Sequence, residues 1–152
     1  MKVDLPELVS ELGIKRIWLT NRHGLLTVAE VNALYNLCNI YVLSSLSEGF
    51  GLPMLEAFRF NKPVIAVDAQ PFNEVIENGR TGILIPLKEV KWFNYKNKVL
   101  FKMNVYEPQK LAEAMISLLL KPSVRENIGT HIQENKHRWS IYNLYPKLLD
   151  YF

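Results

Sequence analysis

Ile40-Tyr41-Val42-Leu43-Ser44-Ser45-Leu46-Ser47-Glu48-Gly49-Phe50-Gly51-Leu52-Pro53-Met54-Leu55-Glu56-Ala57 is the stretch around which the chain is organised. Its opening apolar run, residues 40–43, has the character of a buried parallel strand. The run breaks at Gly49 and Gly51 and enters a helix with Pro53 in the first turn, where a missing N–H costs nothing. A strand, a glycine turn and a helix N-terminus together make a place for an anion, because free amides point outward and the helix dipole favours negative charge. Glycine also lets a ligand approach the backbone, since no Cβ intervenes. Glu48 and Glu56 bracket the turn. Carboxylates repel phosphate, so their expected partners are hydroxyls, and the residues read as a site for a phosphate linked to sugars.

The flanks continue an α/β pattern. Residues 14–20, 40–43, 64–67 and 83–85 read as four buried strands, with helical patterns between them. Such alternation implies βαβ units and a mostly parallel sheet whose following loops share one rim. Thr27-Val-Ala-Glu30 is a capping box. Arg22 and His23 fall in a loop at the ligand-binding edge, or in an ordinary solvated loop. After residue 106 the sequence reads as helices. One begins at Glu107-Pro108, a polar and exposed one covers residues 123–137, and a last one covers residues 140–152, with Trp139 joining its apolar side.

Residues 87–106 break the pattern, with lysines interleaved among Trp92, Phe93, Tyr95 and Phe101. Aromatic rings among ammonium groups suit an anionic membrane surface. They also suit an insertion loop or an extra hairpin covering a sheet edge.

Composition narrows the classes. With 49% apolar and 22% charged residues, the chain of 152 suits a globular domain with a sizeable core. A net charge of +3 is too small and scattered to argue for nucleic acid. No apolar run approaches the length of a membrane span. The single cysteine, Cys38, permits no internal disulfide, fits a reducing compartment and sits on an apolar helical pattern. These points lead to the expectation of a cytoplasmic protein, with any membrane contact at the inner face. His23, His131 and His137 are scattered, so no metal cluster is expected.

The segment Glu48-Gly49-Phe50-Gly51-Leu52-Pro53-Met54-Leu55-Glu56 resembles the Glu-x7-Glu motif of the family-4 (group 1) glycosyltransferases. Residues 34–40, Lys62-Pro63-Val64-Ile65-Ala66 and residues 74–86 resemble that family in the same order. Where the family usually has glycines, this chain has Gln70-Pro71-Phe72-Asn73. The resemblance implies a Rossmann-like three-layer α/β domain, half of the two-domain GT-B fold. Residues 1–152 would be a single C-terminal nucleotide-sugar-binding domain, shortened at its start, with residues 87–106 inserted. It implies sugar transfer from a nucleotide diphosphate donor, with retention, to a glycan, lipid or other acceptor. No bound metal or other cofactor is implied, the nucleotide sugar being the substrate.

By the same resemblance, Glu56 accepts hydrogen bonds from ribose hydroxyls. Glu48 lies by the transferred sugar as the catalytic residue. Gly49, Phe50, Gly51 and Leu52 bind donor sugar and phosphate. The plainer readings are an exposed helix glutamate for Glu56 and a cap or surface charge for Glu48. Glu74 matches a family glutamate but also suits loop structure. The partners implied are the donor and an N-terminal acceptor domain, without which this piece is expected to be inactive. The alternative is a non-catalytic sugar-nucleotide-binding or interaction module on the same fold.

Overall fold

The computed structural model describes residues 4–17, 26–95, 99–140 and 143. The chain forms two compact units, Met1–Ala33 and Leu34–Phe152.

In the first unit, α1 (Leu5–Glu11) begins where Asp4 caps it, Oδ1 accepting from the Glu7 amide at 3.2 Å. It ends at Gly13, φ +64°. Residues 14–17 carry no strand, and the remainder of the expected first strand, with Arg22 and His23, lies outside the described residues. Helix α2 (Val28–Leu37), whose residues from Leu34 onward belong to the second unit, starts at the expected capping box. The Thr27 amide donates to Glu30 Oε2 at 2.7 Å, and the Glu30 amide donates to Thr27 Oγ1 at 3.3 Å.

The second unit is built on a parallel sheet of β1 (Tyr41–Val42), β2 (Val64–Val67) and β3 (Gly82–Ile85), in that order. The parallel sheet thus has three strands among the described residues, where the sequence reading has four. Tyr41 pairs with Val64, and the β2–β3 register runs from Val64–Gly82 to Val67–Ile85. The Leu43 amide donates to the Ile65 carbonyl at 2.9 Å, so the first ladder continues one residue beyond β1. A Cβ on Gly82 would lie 2.1 Å from the Val64 carbonyl oxygen, so only glycine allows the strands this approach. All four residues of the central strand are buried, as expected of a strand covered on both faces.

Helix α3 (Leu52–Arg59) buries Met54, Ala57 and Phe58, and the short α4 (Phe72–Val75) buries Phe72. Both pack against β2, as does α5 (Pro108–Leu119), which also meets β3. Helix α6 (Pro122–Asn135) packs on α3 and α5. The sequence reading makes α6 polar and exposed. In the structure Ile128 and Ile132, four apart, form a narrow buried stripe within it. Val124, Ile128 and Ile132 recur four apart in an otherwise polar helix, a narrow signal of which only the two isoleucines are buried. A 3-10 turn, Lys136–Trp139, follows, and the Trp139 ring lies 4.8 Å from that of Phe58. The expected terminal helix lies outside the described residues except at Ser140 and Asn143.

Of the readings for residues 87–106, the structure adopts the hairpin. Strands β4 (Leu87–Tyr95) and β5 (Val99–Tyr106) pair antiparallel as a separate two-stranded sheet. Among the described residues no helix is long and apolar enough to cross a membrane.

Candidate functional site

The loops after β1 and β2 are held by one strand, β5. The Asn104 amide donates to the Leu46 carbonyl at 2.6 Å, and the Tyr106 hydroxyl donates to the Ser44 carbonyl at 3.0 Å. Asn104 Nδ2 reaches the Gln70 carbonyl at 3.4 Å. The base of the hairpin therefore braces both rim loops. Across the second loop, Asn73 Nδ2 donates to Asp68 Oδ1 at 3.0 Å.

The first loop delivers Gly51 to the N-cap of α3 with φ 79° and ψ 47°, the left-handed region. A side chain is disfavoured there twice over. The conformation itself costs an L-residue about 1–2 kcal/mol. A Cβ would also stand 3.0 Å from Phe72 Cε1, part of a fully buried ring. Glycine lacks a capping side chain, and Pro53 follows within the first turn. Among the described residues, none of the amides of Gly49, Phe50, Gly51 and Leu52 donates to a backbone carbonyl. Phe50 and Leu52 are exposed, while Gly51 is buried against Phe72 and Leu43. A helix end with unengaged amides and an exposed surround is an anion-binding arrangement.

Glu56 stands one turn into α3 on the exposed side. The Tyr35 hydroxyl donates to its Oε2 at 2.9 Å and lies 3.3 Å from the Pro53 carbonyl. Tyr35 is itself buried, stacked on Phe60 with ring centroids 5.6 Å apart and 5.5 Å from the Tyr41 ring. Burial, then the bond to Glu56, push the Tyr35 phenol well above its ordinary range, so it remains a donor. One carboxylate oxygen is thus occupied, and the other has no partner among the described residues. Such a group can accept from a ligand hydroxyl without reorienting.

Glu48 is exposed in the loop before Gly49. Burial pushes the Tyr41 phenol up, against the lowering effect of its contact with Tyr35, and the charges of Glu56 and Glu48 add to the rise. Both glutamates therefore act electrostatically on the Tyr41 hydroxyl. Glu48, Gly49, Phe50 and Gly51 lie in the loop that leads into α3, Leu52 is the first residue of that helix, and Glu56 lies within it. The sequence reading did not assign Tyr35, Phe72, Asn104 and Tyr106 to this region. Of these, only Tyr35 carries a local signal, because a tyrosine on a buried helix face needs a partner for its hydroxyl.

Cys38 is half-buried, and burial pushes its thiol up, as fits packing rather than reactivity. Among the described residues no group of His, Cys, Asp and Glu is arranged to hold a metal ion.

Residues 20–95, half of the chain, match the family model of glycosyl transferases group 1. An uncharacterized glycosyltransferase of Sulfolobus islandicus rod-shaped virus 1 is 28% identical over 117 residues, covering 76% of this chain and 34% of its own. Among solved structures, the C-terminal domain of a group 1 family glycosyl transferase (LpcC) from Francisella tularensis is similar, with a TM-score of 0.61 and 24% identity. That match covers 86% of this chain and 57% of the other. Anabaena Alr3699/HepE, solved in complex with UDP, is similar with a TM-score of 0.66 at 18% identity, covering 96% of this chain and 35% of its own. The match spans about a third of the length of the viral relative and less of the other curated relatives.

Proposed function

Because the chain belongs to the group 1 glycosyltransferases and has the α/β fold of a GT-B half, we propose that it binds the nucleotide-sugar donor of a retaining transferase. The diphosphate sits at the N-terminus of α3, on the amides of residues 49–52. Glu56 accepts from the ribose hydroxyls. Glu48 lies by the transferred sugar and orients or polarises it. The observation that carries this reading is the juxtaposition of an uncapped glycine-led helix start with a carboxylate already oriented by Tyr35. The Anabaena protein's complex with UDP supports a nucleotide on a domain of this fold.

Catalysis on this reading requires no acid–base pair within the chain. The leaving diphosphate gains stability from preoriented amides and the helix dipole, and the donor is held for attack. Acceptor binding draws on the other half of the two-domain fold, so this chain by itself is expected to bind donor without transferring sugar.

The test is titration of the 152-residue chain with UDP-, GDP- and ADP-sugars, followed by amide chemical shifts. Shifts are expected at residues 48–56 with one of the three bases. Glu56→Ala should weaken binding by about 1–3 kcal/mol, the cost of losing a hydrogen bond to a charged group. Unchanged affinity in Glu56→Ala, or shifts confined elsewhere, would overturn the assignment.

A further inference from the structure

The distal half of the β4–β5 hairpin has apolar side chains exposed on both of its faces. Trp92 stands opposite Lys102 and Phe93 opposite Phe101. Neighbouring residues of a strand point to opposite faces, so Trp92 and Phe93 project on either side of the ribbon. Trp92 is 61% exposed, Phe93 53%, Leu100 59% and Phe101 45%. Toward the base the pattern reverses, with Asn104 buried and Met103 and Val105 half-buried. The base is fastened to the domain through Leu46, Ser44 and Gln70, as described above, while the aromatic half is not covered.

Charge identifies what covers it. Residues 87–106 contain five lysines and one glutamate. Lys88 pairs with Glu107 and Lys91 with Glu89, but both pairs are exposed and therefore weak. Lys102 pairs with no carboxylate among the described residues. A protein partner laid on this ribbon would cover one face and leave the aromatics of the other in water. The boundary between lipid headgroups and acyl chains surrounds an inserted ribbon, taking up rings on both faces while lysine ammonium groups extend to anionic headgroups.

We propose that the β4–β5 hairpin is an interfacial anchor that seats this domain on an anionic lipid surface through Trp92, Phe93, Leu100 and Phe101, with Lys91 and Lys102 at headgroup level. Insertion is shallow, because a two-stranded ribbon has unpaired backbone groups along its outer edges that hydrocarbon cannot satisfy. Since the same hairpin braces the loops after β1 and β2, docking would hold the candidate site close to the lipid surface. The inference does not depend on the identity of the donor.

Flotation of the 152-residue chain with phosphatidylcholine vesicles, with and without phosphatidylglycerol, tests it. Binding is expected only with the anionic lipid and should fall as salt is raised. Trp92→Ala/Phe93→Ala should abolish flotation. Lys102→Gln should lower the partition coefficient about fivefold, the contribution of one lysine near such a surface. Circular dichroism and thermal unfolding of each variant establish that it is folded. Absence of flotation by the wild-type chain on anionic vesicles would overturn the proposal. So would flotation that survives the double substitution in a folded protein, or concentration-dependent self-association through these residues without lipid binding.

Discussion

The Tyr35 hydroxyl donates to Glu56 Oε2 at 2.9 Å, joining α2 to α3 across 21 positions of sequence. Tyr35 reaches it from a buried position, stacked on Phe60. The bond limits how Glu56 can turn and leaves its second oxygen without a partner among the described residues. Tyr35→Phe should lower stability by about 1–2 kcal/mol, since the hydrogen bond is to a charged group. It should also weaken donor binding, though less than Glu56→Ala does, because the carboxylate remains but loses its orientation. Urea unfolding and donor titration of the two variants measure both effects.

Gly51→Ala should destabilise the chain by about 1–2 kcal/mol from left-handed backbone strain alone, with Phe72 having to yield as well. Because the strain falls on the N-cap of α3, the amides of residues 49–52 should shift and donor affinity should drop. The urea midpoint and the amide spectrum report the two consequences. An unstrained Gly51→Ala protein with native stability would show that this turn geometry is dispensable.

Asn104 is buried, yet its Oδ1 has no partner among the described residues. Only the 3.4 Å bond from Nδ2 to Gln70 offsets the burial of its amide. Asn104→Leu removes both the bond and the unpaired oxygen, so the net stability change should be under about 1 kcal/mol. Donor affinity should nevertheless decrease as the loop after β2 is released. Thermal unfolding beside donor titration separates these outcomes.

Glu77 gathers three basic neighbours: an ion pair with Arg138, Arg80 at 3.4 Å and His131 at 3.5 Å. Partial burial alone would raise its carboxyl, but the hydrogen bond and charge of Arg138, helped by Arg80 and His131, bring it below the ordinary 4.5. A depressed folded value means the stabilisation is fully present above about 4.5 and is lost as pH falls through the folded value. Glu77→Gln should therefore melt a few degrees lower than the wild type at neutral pH, about 2–4 °C for a contribution near 1 kcal/mol. The gap should close in acid, and melting curves across that range measure it.

The sequence by itself determined the local chemistry. A capping box at Thr27–Glu30, glycines before Pro53, and apolar runs at residues 64–67 and 83–85 each act over a few residues, so spacing reveals them. For the same reason the start of α3, with Glu48 and Glu56 on either side of its glycines, was legible before any coordinates. Tertiary structure alone decided what surrounds that turn. The Tyr35 bond to Glu56, Phe72 beneath Gly51, and the brace from Asn104 and Tyr106 connect residues between 21 and 62 positions apart. It also decided that residues 87–106 form a hairpin rather than a loop, and that Ile128 and Ile132 are buried in a helix that otherwise reads as polar. Such outcomes depend on which surfaces meet when strands and helices pack, and short-range spacing does not encode that.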